Sequence, residues 1–256
     1  MGSNIGCQRD SGVPMTDSTV IVGAGRLGRS AQHILARGGH PVRLIGRGVP
    51  IPPAEVTWLT VPDREVSEVA LSVPRGGVVL HASGALEVDV LRPHEVVGSL
   101  HPLMSFPGPE RGLPSGDIPA AVSGDDDACA AAHTLAEKLG FSPFTVTGDR
   151  RLYHAAAVLA GNFTTTLLVH ASQALAACGV DESEARLLLG PLATASLNNT
   201  IALGSDALTG PVARGDEEVI SNHQAALESL DPQIAELYRV LTDATRNVKC
   251  EKFAEE

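Results

Sequence analysis

Gly23-Ala24-Gly25-Arg26-Leu27-Gly28 constrains this chain more than any other stretch, because of what flanks it. A short β-branched run, Thr19 to Val22, leads straight into it. Arg29 to Arg37 reads as a helix stopped by Gly38-Gly39, and Pro41 to Ile45 reads as a second strand. Glycines spaced G-x-G-x-x-G between a strand and a helix each have a physical job. The first permits the tight turn, the second lets a pyrophosphate approach the backbone, and the third lets helix and strand pack closely. The pattern predicts a strand–turn–helix–strand unit of the dinucleotide-binding type.

Further apolar runs continue the alternation. Val56 to Val61 stops at Pro62-Asp63, Gly77 to Leu80 stops at His81-Ala82-Ser83-Gly84, and Val96 to Leu100 stops at His101-Pro102. In a parallel sheet, ligands sit beyond the carboxyl ends of the strands, so these stops are where a site belongs. Ala120 to Val122, a helix from Asp125 to Leu139 and Phe144 to Val146 complete the first domain. After Gly148 the pattern is helical throughout. Arg150 to Ala177 is long and Ala-rich, Asp181-x-x-Glu184 opens a helix in which Pro191 predicts a kink or break, and Ala207 to Gly215 is a loop. Asp216 caps one helix, and Asp231-Pro232 starts the last with proline at its first position. The predicted fold class is α/β: a Rossmann-type doubly wound parallel sheet over residues 18–148, followed by an all-α domain over 149–256. Residues 1–17 carry no apolar core of a secretion signal and are read as a disordered extension outside the fold.

Charge and composition remove whole classes of function. The net charge of −11 offers no basic face for nucleic acid. An anionic cofactor must then be held locally, by helix N-termini and placed arginines. Lysine occurs only at positions 138, 249 and 252, so a P-loop and a Tyr-x-x-x-Lys pair are excluded. Four scattered cysteines predict neither a zinc cage nor a disulfide framework and suit a reducing, cytoplasmic setting. No run reaches the roughly 18 consecutive apolar residues of a membrane span. The histidines are scattered and no metal site is expected.

One arginine bears on the choice of dinucleotide. NAD enzymes usually carry an acid at the end of the second strand to hold the ribose 2′-hydroxyl. Here that position reads Ile45-Gly46-Arg47, and an arginine suits a 2′-phosphate, so NADP is expected over NAD. Gly23, Gly25, Arg26, Leu27, Gly28, Arg47 and Pro62 are the expected cofactor contacts. Ser83, at a strand end, can anchor a substrate carboxylate, or form an ordinary Ser-Gly turn. His101 can protonate a forming alkoxide, or bond backbone in a turn. His154, Val158 and Asn162 share one helix face at intervals of four residues. The loop Leu208 to Asp216 places Thr209 and Arg214 for an anion, unless Arg214 merely pairs with Asp216.

Together, Gly23 to Gly28, His81-Ala82-Ser83-Gly84-Ala85-Leu86, Ser99 to Leu103, Tyr153-His154-Ala155-Ala156-Ala157 and Leu208 to Asp216 resemble one group. It is the Rossmann-like proteins with a C-terminal helical domain of unknown function, in the 6-phosphogluconate dehydrogenase-like superfamily. The resemblance spans Ser18 to Arg246 and implies NAD(P) binding and a homodimer formed through the C-terminal helices. Among more distant relatives, β-hydroxyacid dehydrogenases carry a Ser-Thr motif where Ser83 stands and a Lys-x-x-x-Asn motif whose asparagine is matched by Asn162 but whose lysine position holds Val158. A reductase built on this chain therefore takes its proton from His154 or His101. The reading that follows is an NADP-dependent oxidoreductase reducing a small keto acid of the ketopantoate type, or acting on a hydroxy acid. The alternative is a dinucleotide-binding sensor without turnover.

Overall fold

A computed structural model describes residues 19–252 except Ser115, with the side chains of the last four omitted. The expected extension at residues 1–17 lies outside the described residues. Seven strands among them form one sheet. β1 (Thr19–Val22), β2 (Val42–Ile45), β3 (Val56–Leu59), β4 (Val78–His81), β5 (Val97–Pro102), β6 (Ile118–Gly124) and β7 (Phe141–Thr145) lie in the order β2-β1-β3-β4-β5-β6-β7. The chain runs outward from β1 to β2 and then returns to β3 on β1's other side. The carboxyl end of β1 is therefore the switch point at which this architecture opens a crevice.

Strands β1 to β5 are parallel, as expected, but β6 runs antiparallel to β5 and β7 is parallel to β6. The pair β5–β6 is joined by residues 103–117, which carry a 3-10 turn at Pro109–Arg111 and no crossover helix, so the chain simply turns back. Helices α1 (Arg26–Arg37), α2 (Asp63–Ala70) and α3 (Asp126–Lys138) pack on the sheet. One core joins Ile21, Leu35, Trp58, Leu80 and Leu100 to α3, and the other joins Val20, Leu59, Val66, Val79 and Val97 to α2. Trp58 is fully buried, and its indole N–H donates to the Leu100 carbonyl at 3.2 Å.

The remaining helices are α4 (Arg150–Val158), a π turn at Leu159–Phe163, α5 (Thr164–Ala176), α6 (Glu182–Leu203), α7 (Pro211–Arg214), α8 (Glu217–Leu230) and α9 (Pro232–Lys252). The Asp181 carboxylate caps α6 by accepting from the Ser183 and Glu184 N–H groups, and Asp231 accepts from Gln233 N–H at the start of α9. Asp216 makes no such cap bond, because its carboxylate is taken by Arg214. Pro191 does not end α6. The residue before it is Gly190, which has no Cβ to meet the proline ring. The chain divides into compact units at Gly161/Asn162, inside the π turn and later than residue 148. The helical stretch Arg150–Ala176 has a mean hydropathy of 1.3 in its most apolar window, long and apolar enough to pass as a spanning helix. His154, Asn162, Thr165 and His170 interrupt that apolar surface.

The tightest place in the first unit is the seat of α1. A Cβ built on Gly28 would lie 2.0 Å from the Gly23 carbonyl oxygen and 2.7 Å from Thr60 Oγ1. Neither obstacle is a flexible side-chain end. Gly28→Ala is expected to lower stability by about 3 kcal/mol in urea unfolding, as overpacking against backbone does. A loss below about 0.5 kcal/mol would show that α1 can lift from the sheet freely.

Candidate functional site

The turn after β1 is built for close approach. Gly23 has a φ of 121°, where a side chain would be strained, and its N–H donates to Ile45. Thr60 Oγ1 bonds the Gly23 carbonyl at 2.9 Å, tying the turn to the end of β3. No side chain caps α1, its first turn holds no acid, and a Cβ on Gly25 would meet open space. The first-turn N–H groups thus face outward with the positive end of the helix dipole behind them.

Two hollows meet at this turn. One of about 640 Å³ is lined by Gly23, Ala24, Gly25, Gly46, Arg47 and Glu65. The other, of about 460 Å³, is lined by Gly25, Arg26, Leu27, Ala82, His101 and Met104. Gly25, Thr60, Val61 and Pro62 line both. The expected cofactor residues therefore lie along one trough, with the glycine turn at its middle, Arg47 toward one end and His101 toward the other. Gly28 is the exception, buried beneath the turn as its support.

At the far end, β4 and β5 deliver two histidines into a polar cluster. His101 Nδ1 lies 2.6 Å from the Tyr153 hydroxyl, and the His101 and His154 rings stand edge to face with centroids 6.1 Å apart. A Cβ on Gly84 would come within 2.8 Å of His154 Cδ2 and 3.0 Å of His101 Nε2, so Gly84 makes the room both rings occupy. Burial, then the His154 and Arg150 charges, lower the His101 pKa to about 4. Burial also pushes the Tyr153 phenol up. A protonated Tyr153 donating to Nδ1 satisfies both groups and leaves the imidazole proton on Nε2, the edge facing Gly84. With its pKa lowered to about 4, His101 is mostly uncharged at neutral pH, and the neutral ring can still donate from Nε2 toward a substrate oxygen.

Below these rings lies a buried scaffold. Arg150, 3% exposed, donates to the Ser83 carbonyl and to Ser123 Oγ, each at 2.7 Å, while its Nε has no partner. No carboxylate among the described residues is within ion-pair distance of it. His81, fully buried, accepts the Ser83 N–H at Nδ1, and burial with the Arg150 charge lowers its pKa to about 4. Asp63 opposes these shifts but contributes less than Arg150 at both rings. The Ser83 hydroxyl donates to Asp63 Oδ2 at 2.8 Å and accepts from the Ala85 and Leu86 N–H groups. One donor and two acceptor sites are all a hydroxyl has. The Ser83 hydroxyl is thus fully engaged in the knot of a turn.

The remaining expected residues sit within their own units. Asn162, Thr209 and Arg214 belong to the second unit, where Asn162 sits in the π turn and Thr209 is exposed. Arg214 pairs with Asp216 through two nitrogens at 2.8 Å, the plain ion pair that the loop sequence left open. Arg47 is likewise engaged, its Nη2 lying 3.0 and 2.9 Å from the two Glu65 oxygens. Sequence reading passed over Tyr153, Arg150, His81 and Glu65. For Tyr153 and Arg150 the available signal is an Arg-Arg pair and a tyrosine just ahead of the alanine run that opens an otherwise apolar helical stretch.

The model of one family, a domain of unknown function (DUF2520), matches residues 118–245, which is half of the chain. The chain belongs to that family. No protein of curated function matches it by sequence. Among solved structures, protein TM1727 of Thermotoga maritima is 25% identical, with 91% of this chain and 99% of that one covered at a TM-score of 0.70. A provisionally named NADP oxidoreductase of Bacteroides fragilis is 20% identical, covering 90% and 98% at a TM-score of 0.75. A reductive aminase of Aspergillus terreus, solved with NADPH and ethyl-5-oxohexanoate, is 16% identical, covering 90% and 93% at a TM-score of 0.68. This DUF2520 chain shares their architecture: a Rossmann-type sheet followed by a helical domain.

The two neutral histidines carry a signature in stability. Their folded pKa values lie near 4, against an ordinary 6.5. Between those values the unfolded chain binds protons that the folded rings refuse, so stability falls as pH drops from 6.5 toward 4. Full expression of the shift is worth up to about 3 kcal/mol for each ring. Urea midpoints at pH 7 and pH 4.5 should differ accordingly, and His101→Asn should flatten part of the slope. A profile unchanged by that substitution would contradict a neutral His101.

Proposed function

We propose that this DUF2520 chain binds NADP(H) and catalyses hydride transfer, reducing the carbonyl of a small keto acid of the ketopantoate type. The observation that carries the reading is the trough itself. The glycine turn, uncapped helix end and open Gly25 lie between a hollow containing Arg47 and one containing His101. That sequence of features suits the adenosine end, pyrophosphate and nicotinamide end of one dinucleotide, and the cradle a Cβ on Gly25 would fill is the fit test. The Bacteroides fragilis and Aspergillus terreus neighbours, named for NADP or solved with NADPH, support the same choice.

When bound, the nicotinamide supplies the hydride. The chain's own residues do the rest. Gly23, Gly25 and the first turn of α1 hold phosphate oxygens through backbone N–H groups, and Arg47 reaches a 2′-phosphate. His101, neutral with its proton on Nε2, donates a hydrogen bond to the substrate oxygen, and Tyr153 fixes that tautomer. Arg150 outweighs Asp63 in the field at His101, so an oxygen gaining negative charge there is stabilised as the hydride arrives, and the resulting alkoxide takes its proton from His154 or from water to give the alcohol. An imine is the competing electrophile, since it arrives with its own proton. The exposed apolar side chains of α6, Leu187 at 78% and Ile201 at 84%, support a homodimer through the second unit. The free thiols of Cys129 and Cys178 suit a cytoplasmic setting.

A second reading is a dinucleotide-binding sensor, favoured by the saturated Ser83 hydroxyl and the valine at position 158. Calorimetry decides the first step: NADPH should bind more tightly than NADH, and Arg47→Ala should weaken NADPH about tenfold. Tyr153→Phe should then leave NADPH binding intact while lowering NADPH consumption with a 2-keto acid by about tenfold or more. Binding without turnover on any keto acid or imine would favour the sensor. Failure to bind either nucleotide would overturn the dinucleotide reading.

A further inference from the structure

The acid that the end of β2 lacks is supplied by another element. Glu65 stands in the first turn of α2, just past the end of β3, and its carboxylate meets Arg47 at 3.0 and 2.9 Å. Both residues line the 640 Å³ hollow beside Gly46 and Gly48. The partners are unequally fixed. The Glu65 side chain is 24% exposed, whereas that of Arg47 is 86% exposed, so the carboxylate is the anchored member and the guanidinium the mobile one. Arg64 adds a weaker contact to the same carboxylate at 3.7 Å. The short helix α2 thus brings a fixed negative charge to the spot where the fold selects between a ribose hydroxyl and a ribose phosphate.

We infer that Glu65 is a specificity-determining residue, occupying Arg47 and thereby limiting how far NADPH is preferred over NADH; this rests on the dinucleotide reading above. A 2′-phosphate reaching Arg47 must share it with a carboxylate of its own sign, which costs affinity. A ribose 2′-hydroxyl meets no such opposition and can donate to the same carboxylate. One residue therefore weakens NADPH and favours NADH, even though the arginine beside it suits a phosphate.

Glu65→Gln keeps the shape and removes the charge at a part-buried position, and a urea unfolding midpoint close to that of the wild type shows that the variant folds. Titration of NADP⁺ and NAD⁺ into the wild type and this variant, followed by calorimetry at low and moderate salt, reads the effect without turnover. The expected result is about fivefold tighter NADP⁺ binding in the variant, the scale of an exposed ion pair, with NAD⁺ unchanged or weaker. The gain should shrink as salt rises. An unchanged NADP⁺ to NAD⁺ ratio, with both nucleotides binding, would overturn the role of Glu65 and leave the dinucleotide reading standing. Absence of binding by either nucleotide to both proteins would overturn the two together.

Discussion

Everything in the first unit depends on how closely α1 lies on the turn after β1. The space between Gly28 and the Gly23 carbonyl is too small for a methyl group, and Thr60 closes it from the side of β3. That closeness sets the direction of the helix, and the helix direction points its first-turn N–H groups out of the sheet edge. The strand order then decides what they look toward. With β2 on one side of β1 and β3 on the other, the turn stands at the head of a crevice, where two hollows join. A backbone feature three glycines long thus fixes the position of Arg47 and His101 at opposite ends of one trough.

The second organising element is a charge rather than a contact. Arg150 is taken out of water at the first position of α4 and bonded to a carbonyl and a hydroxyl, not to a carboxylate. A buried cation of that kind is costly by itself. Burial is the main cause that keeps the neighbouring imidazoles uncharged, and the Arg150 charge adds to it at both rings. Asp63, the acid that can offset it, is turned toward the Ser83 hydroxyl and holds the β4 turn in place.

Local pattern carried much of this, and its failures have physical causes. The strand–turn–helix unit and the cap at Asp181 are short-range, so residue spacing reveals them. The reversal at β6 is not short-range: an apolar run reads alike in either direction, and only the missing crossover helix between β5 and β6 hints at it. Ser83 looked available because a strand-end serine is a usual ligand, but the saturation of its hydroxyl depends on Asp63, twenty residues away. Glu65 was invisible for the same reason, since it reaches Arg47 from a different helix. At Pro191 the break does not occur, and α6 runs on through the Gly190-Pro191 pair.

In the proposed function the Gly23–Gly28 turn holds a dinucleotide pyrophosphate. Amide hydrogen exchange with and without saturating NADP⁺ tests it most directly, because it reports on the groups said to do the holding. The account predicts slowed exchange at the amides of Gly25, Arg26 and Leu27, with a second protected segment around Gly46 to Gly48. Protection confined to other parts of the chain, with these amides unchanged while the nucleotide is bound, would contradict it.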